Sequence, residues 1–327
     1  RRPPISTLFP YTTLFRSHHH LNLPFDLESV ERVEVLKGPS ARIYGANAFT
    51  GAVNFITNTS KKNKIAASLT AGDFGFHKES LSFGLFINKI KNSVTAYNMQ
   101  SNGYRHNTSF QTKSLFYELG AETGKTKILA NIGLCNKEWG SNSFYSAKFP
   151  DQYEETETLL GAIKAETGTR LKHSFWLLWR SNSDHYLLNR NMPAMYENFH
   201  LTTTLGASYQ FAAFTRVGKT TVGLNYRDET LYSNRLGLPI SDSFKIKSTN
   251  KYYTLGDRRQ NLGLFVDHRI ELEKFTFSAG CISEHFNKKV SFLPGAEIAY
   301  KFKPQRKSFA SVNMAIRNPT FTDLYYS

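Results

Sequence analysis

The sequence is poor in cysteine, in long apolar runs and in acid. Only two cysteines, Cys135 and Cys281, occur in 327 residues. Two thiols cannot build a disulfide framework or a four-ligand metal site. No apolar run approaches the ~18 residues that a membrane helix needs; the tightest cluster, residues 175–179 (FWLLW), has the length of a strand. Asp and Glu total 26 against 41 Lys and Arg, a net charge of +15. His77, His106, His173, His185, His200, His268 and His285 are scattered without ligand spacing, and no Ser/His/Asp order suggests nucleophilic catalysis. No enzymatic activity and no cofactor are expected. Aromatics are plentiful, with 26 Phe and 17 Tyr, which excludes a chain too poor in apolar groups to fold. A soluble β protein, a basic nucleic-acid binder and a membrane β-barrel remain.

The dominant pattern from Lys64 onward has period two. Leu115, Tyr117, Leu119 and Ala121 alternate with Phe116, Glu118, Gly120 and Glu122. Leu201, Thr203, Leu205, Ala207, Tyr209 and Phe211 alternate with Thr202, Thr204, Gly206, Ser208 and Gln210. About thirteen such segments can be drawn, most near the ~10 residues of a tilted membrane strand. Side chains of one parity then face lipid and those of the other a wet interior, which puts Cys135 inside and Cys281 outside. Tyr209, Phe211, Phe275 and Phe277 suit an interfacial aromatic girdle.

The connections divide into two sets. Short ones are expected at 123–125, 166–169, 214–219, 272–274 and 303–306, and long ones at 103–111, 136–155, 184–199 and 232–258. Short turns on one rim and long loops on the other is the outer-membrane barrel pattern, whereas a soluble sandwich has no reason to segregate loop lengths. A closed barrel also satisfies every backbone group within lipid. Glu154, Glu155 and Glu157 read as a solvated loop-to-strand edge. Residues 213–220 (AFTRVGKT) meet a relaxed phosphate-loop pattern, but a period-two strand follows where a helix is required, so they read as a hairpin turn. The basic residues are spread along strands and turns instead of gathering on one face, so no nucleic-acid partner is expected.

Residues 31–36 (ERVEVL) alternate as a strand with one buried face, Gly38 and Pro39 follow, residues 40–45 fit one helical turn closed by Gly45, and residues 51–57 (GAVNFIT) read as another strand. The block ESVERVEVLKGPSARIYGANAFTGAVNFIT resembles the end of the plug domain of TonB-dependent outer-membrane receptors. There the pattern runs I-E-R-(IV)-E-V-L-(RK)-G-P-x-S-x-L-Y-G-x-x-A-x-G-G-V-I-N-I-I-T. Arg32, Glu34, Lys37, Gly38, Pro39, Tyr44, Gly45 and Gly51 stand at motif positions, and Thr50, Ile43 and Phe55 depart from it. Residues 317–326 (RNPTFTDLYY) resemble a second signature, R-x-P-(ST)-(FL)-x-(DE)-L-(YF), from the barrel of the same family, above all its cobalamin- and siderophore-type members. Residues 1–17 (RRPPISTLFPYTTLFRS) resemble a translated sequencing adapter and are set aside; residues 18–20 are assigned no role.

The resemblance implies an all-β, transmembrane antiparallel barrel with the C-terminal part of a plug. Residues 18–60 would belong to the plug and 61–327 to about 13 of the 22 strands of a plugged barrel, with the rest expected after Ser327. It further implies a receptor in the outer membrane of a Gram-negative cell that imports a scarce metal chelate or cobalamin-like ligand, as a monomer. Its partners would be the TonB energy-coupling complex, the lipid bilayer and lipopolysaccharide. A passive porin or adhesin barrel is the alternative, and it would lack the plug block. Trp139, Tyr145, Tyr153, Tyr186 and Tyr196, read as residues of the long loops, are the candidate ligand contacts. Arg32, Glu34 and Lys37 are expected to face the inner wall and to pair with charges such as Glu118 or Glu122.

Overall fold

A computed structural model describes residues 22–37, 51–57, 63–303 and 305–325. The motif positions Gly38, Pro39, Tyr44 and Gly45, the expected helical turn around them and the N-terminal 21 residues lie outside that set. Strand makes up most of the described chain and helix very little of it. No helix among the described residues is long and apolar enough to cross a membrane.

Two strands come first. β1 (Val30–Lys37) and β2 (Gly51–Thr57) pair antiparallel as a small sheet, Val33 opposite Phe55. A single large antiparallel sheet follows. It contains β3 (Lys64–Ala71), β4 (His77–Ile87), β5 (Ile90–Ser101), β6 (Phe110–Thr123), β7 (Thr126–Gly140) and β8 (Tyr153–Gly168). It continues through β9 (Leu171–Leu187), β10 (Glu197–Thr215), β11 (Gly218–Ser233), β12 (Leu238–Lys245) and β13 (Tyr252–Glu271). β14 (Phe275–Phe286), β15 (Lys289–Lys303) and β16 (Arg306–Asn313) complete it. Apart from β12, which pairs beside β13, each strand pairs with its sequence neighbours in one path of thirteen strands. β3 and β16 end that path and are not paired with one another.

The expected short turns all fall on one rim. The long connections fall on the other but are shorter than expected: 102–109, 141–152, 188–196 and, around β12, 234–251. The strands run on beyond the segments in which apolar residues mark the alternation. In β8 the outer-face residues near the long-loop rim are Tyr153, Glu155 and Glu157, so the period persists there without its hydrophobic signal. The same effect hides Trp139, Tyr153 and Tyr186, which lie in β7, β8 and β9 and not in loops. Only Tyr145 and Tyr196 belong to connections.

The two faces of the large sheet differ in chemistry. On the outer face, one register row reads Leu119, Ala130, Ile163, Leu177, Ala207, Tyr226 and Leu262 across seven strands. These side chains have no covering element; Ile163 is 52 % and Leu177 54 % exposed. Such a band in water is a large penalty, and in lipid it is the expected surface. Near the long-loop rim the outer rows turn polar, with Lys113, Asn136, Glu157 and Ser183 in register, then Gln111, Glu138, Glu155 and His185. The strands therefore extend past the apolar band. Phe275 and Phe277 stack near the short-turn rim beside Tyr300, and Phe175 packs on Tyr209, as an interfacial girdle requires.

The inner face carries polar side chains and is covered. Residues 22–26 and the β1–β2 pair lie against it, as does the segment after β16. That segment holds a short helix, α1 (Phe321–Tyr325), closed by a reciprocal cap: the Asp323 amide donates to Thr320 Oγ1 and the Thr320 amide to Asp323 Oδ2, both at 2.8 Å. The Thr320 amide is the main reason that the Asp323 carboxyl is held below its ordinary range. Phe321 is fully buried against Leu231 and Leu236, with Arg259 4.4 Å from its ring. Tyr325 donates to Asp257 at 2.7 Å, and burial, then that carboxylate, push its hydroxyl up to about 12. Cys135 is buried on the inner face, Cys281 is half-buried on the outer, and both are free thiols.

Candidate functional site

Two parts of the inner face have the geometry of a functional surface. The first is the wall against which residues 22–57 sit. Pro24 and Phe25 press on β6 and β7, with Phe25 5.6 Å from Phe116 and 5.5 Å from Phe55. Gly133 makes this approach possible. A Cβ there would fall 2.6 Å from Pro24 Cγ and 2.9 Å from the Phe116 ring. Polar contacts run around this packing. Asn22 Nδ2 donates to Thr156 Oγ1 at 3.3 Å, Lys78 pairs with Asp26 at 2.5 Å, and Ser29 Oγ donates to Thr95 Oγ1 at 3.1 Å. Thr57 Oγ1 donates to the buried Glu118 carboxylate. Five strands, β4 to β8, thus hold the small sheet and the residues leading into it.

The charges expected to do this do something else. Arg32 pairs with Glu34 of its own strand at 2.9 Å, and Asn54 donates to the other Glu34 oxygen at 3.0 Å. Glu122 pairs with Lys91 and Lys127 of the wall, at 3.6 and 3.7 Å. Arg32 reaches neither Glu118 nor Glu122. Glu118 is engaged as expected of an inward charge, but by a hydroxyl. The backbone of Lys37 opposes that of Gly51 in the β1–β2 ladder.

The second part is the inner face at the long-loop rim. Its last row reads Phe110, Trp139, Glu154, Tyr186 and Asn198 from β6 to β10. The next row reads Thr112, Lys137, Thr156, Asp184 and His200. Tyr145, from the 141–152 loop, folds over them: its hydroxyl donates to Glu154 Oε2 at 3.0 Å and its ring meets Tyr186 edge-on at 5.0 Å. Gln152, fully buried, fixes that loop through its side chain, accepting from the Tyr145 amide at 3.0 Å and donating to the Ser146 carbonyl at 3.3 Å. Asn107 ties the neighbouring loop to it, donating to the carbonyls of Pro150 (2.9 Å) and Gln152 (2.6 Å). Arg190 of the third loop donates to Asn107 Oδ1 at 3.3 Å, so three long loops form one unit.

Of the five aromatic candidates, Trp139, Tyr145 and Tyr186 lie at this inner rim: the rings of Tyr145 and Tyr186 meet, and Trp139 shares the register row of Tyr186. Tyr153 faces the other way, donating to Glu138 at 2.9 Å on the outer face beneath Arg190. Tyr196 precedes β10 with Arg235 5.1 Å from its ring. Glu154 is buried on the inner face, not solvated, while Glu155 and Glu157 are exposed on the outer one. Glu155 is held below the ordinary carboxylate range, first by the hydrogen bond from His185. Asp184, beyond the apolar band and buried, is pushed well up, first by desolvation and then by the Glu154 charge. Burial also raises Tyr145, with Glu154 adding to it. Reading Asp184, Gln152 and Asn107 as site residues from sequence alone was out of reach, although the polar even positions Arg180, Asn182 and Asp184 leading to Tyr186 carry the inward parity. Among the described residues no group of three or more His, Cys, Asp or Glu is arranged to hold a metal.

An open-ended antiparallel sheet with an apolar outer band, a polar inner wall and a separate small sheet seated on that wall defines a plugged outer-membrane barrel in part. The comparisons agree. The model of the TonB-dependent receptor-like β-barrel matches residues 58–327, and that of the TonB-dependent receptor plug domain matches residues 9–52. The chain belongs to the TonB-dependent receptor family. Among solved structures it is similar to the siderophore receptor PirA from Pseudomonas aeruginosa (15 % identity, TM-score 0.70, covering 94 % of this chain and 53 % of that one). It is similar to the FrpB iron transporter from Neisseria meningitidis (12 %, 0.71, 92 % and 55 %) and to the ferric enterobactin receptor from P. aeruginosa (16 %, 0.66, 91 % and 50 %). At these identities the likeness is one of fold, and the chain spans about half the length of these relatives.

Proposed function

We propose that the whole receptor to which this chain belongs binds a scarce metal chelate, a siderophore-iron or cobalamin-like ligand, outside the cell. It would import the ligand across the outer membrane with energy delivered by TonB, with no bond made or broken. The observation that carries this is the small sheet seated on the inner wall through Phe25, Asn22, Lys78 and Thr57. A wall with a fitted insert fits gated import; a passive porin needs an open lumen. The ligand would enter past the inner rim, where Trp139, Tyr145 and Tyr186 offer rings beside the Glu154 carboxylate. The structural relatives include siderophore receptors and an iron transporter, which supports a metal-chelate ligand. Residues 18–60 would be plug and 61–327 barrel, in the outer membrane, as a monomer facing lipid and lipopolysaccharide.

The test is uptake of radiolabelled ferric chelates by cells that have this full-length receptor as their sole outer-membrane iron receptor. Accumulation that disappears when TonB is deleted is the expected result. Accumulation that persists without TonB would place the protein among passive barrels instead.

A further inference from the structure

On β9 and β10 the inner rim buries an oxygen atom on each strand to which nothing donates. Asp184 Oδ1 and Asn198 Oδ1 lack hydrogen-bond partners, and their residues are only 4 % and 8 % exposed. An unsatisfied buried acceptor is costly, and a carboxylate oxygen more so. Asp184 stands between Glu154 on β8 and Asn198 on β10, each one row nearer the rim. It is also hydrogen-bonded to Glu154, so two carboxyl groups share one buried place. Such a pair is stable only if it keeps a proton or holds a cation.

The surroundings favour the cation. Thr156 lies in register with Asp184, Tyr145 places its hydroxyl on Glu154, and Ser141 Oγ, at the start of the covering loop, is buried without a partner. Carboxylate, amide and hydroxyl oxygens without sulfur are the donor set of a hard cation, and an irregular shell suits calcium better than magnesium. We propose that Asp184, Glu154 and Asn198 hold a divalent cation of the calcium type, which pins the 141–152 loop over the inner rim through Tyr145. His200, opposite Asp184 across the β9–β10 pair, provides the competing arrangement: a protonated imidazole neutralising the acids with no metal. The inference stands independently of the import reading, because a receptor that takes up no chelate can still bind the ion.

The experiment uses the full-length receptor in detergent and titrates terbium, with calcium as competitor. The Tyr145 and Tyr186 rings, 5.0 Å apart beside the acids, serve as antennae for terbium emission. Saturable emission that calcium displaces is expected. Asp184→Asn and Asn198→Ala should each weaken it by about tenfold or more, the loss typical of a missing ligand or its support, and Glu155→Gln on the outer face should leave it unchanged. Where Asp184→Asn fails to assemble, Asn198→Ala carries the test alone, since it keeps both carboxyl groups. Absent emission, or emission indifferent to Asn198→Ala, would overturn the proposal.

Discussion

The outer and inner faces of β6 to β10 belong to the same strands and obey opposite rules. Outside, Leu115, Ile132, Ile163 and Leu177 are exposed. Inside, Glu118, Glu154, Thr158 and Arg180 are buried and find hydrogen bonds or ion pairs. In a water-soluble protein the assignment would be reversed. The inversion says that the solvent outside is lipid and that the interior is wet and plugged, because burial follows the solvent each face meets.

The comparison can be broken by exchanging the rules. Leu177→Arg puts a charge into the apolar band and should cost about 2–4 kcal/mol, depending on depth; urea unfolding in micelles measures it. A smaller effect is expected from Gly133→Val on the inner wall. The new side chain meets Pro24 and Phe116 at under 3 Å, an overpacking worth about 1–3 kcal/mol. It should loosen the plug, read as faster proteolysis within residues 22–57 while the barrel stays intact.

A third prediction concerns pH and the loop at the rim. The Asp184 pKa is raised on folding, so below the ordinary carboxylate range both states hold the proton and the group contributes nothing. As pH rises from that range toward the raised value, the unfolded form releases its proton and the buried one does not, so closure weakens. In chelator, hydrogen exchange of 141–152, corrected for intrinsic rate, should therefore quicken with pH, and Asp184→Asn should flatten the trend. A trend already flat in the parent protein would contradict it. The smallest effect is expected from Arg32→Glu. Arg32 pairs only with Glu34 on an exposed strand face, and such a pair is worth about 0–1 kcal/mol. Leakage through the full-length pore should stay at its parental level; a clear rise would restore the idea that Arg32 holds the plug.

How much of this was legible depended on where the hydrophobic signal ran. The strands, their parity and the short turns could be read because Leu, Ile, Val and Phe mark one face in the lipid band. Beyond the band the outer face turns to Glu138, Glu155 and Glu157, the contrast between faces vanishes, and strand ends read as loop. Hence Trp139, Tyr153 and Tyr186 read as loop residues although they lie in β7, β8 and β9. The plug block could be read as a pattern, but the contacts that seat it could not. They link Asn22 to Thr156 and Thr57 to Glu118, pairs far apart in the chain that meet only through side chains where the small sheet and its leading segment rest on the wall. Charge suggested ion pairs for Arg32, whereas the wall uses Gly133, hydroxyls, the Phe116 ring and one ion pair, from Lys78 to Asp26.

The central claim is that a fitted insert blocks a lipid-embedded pore, and ion conductance tests it most directly. The full-length receptor in a planar bilayer should be nearly silent, while the same protein lacking residues 22–57 should open to large, steady currents. Equal conductance from the two, whether both silent or both open, would contradict the account.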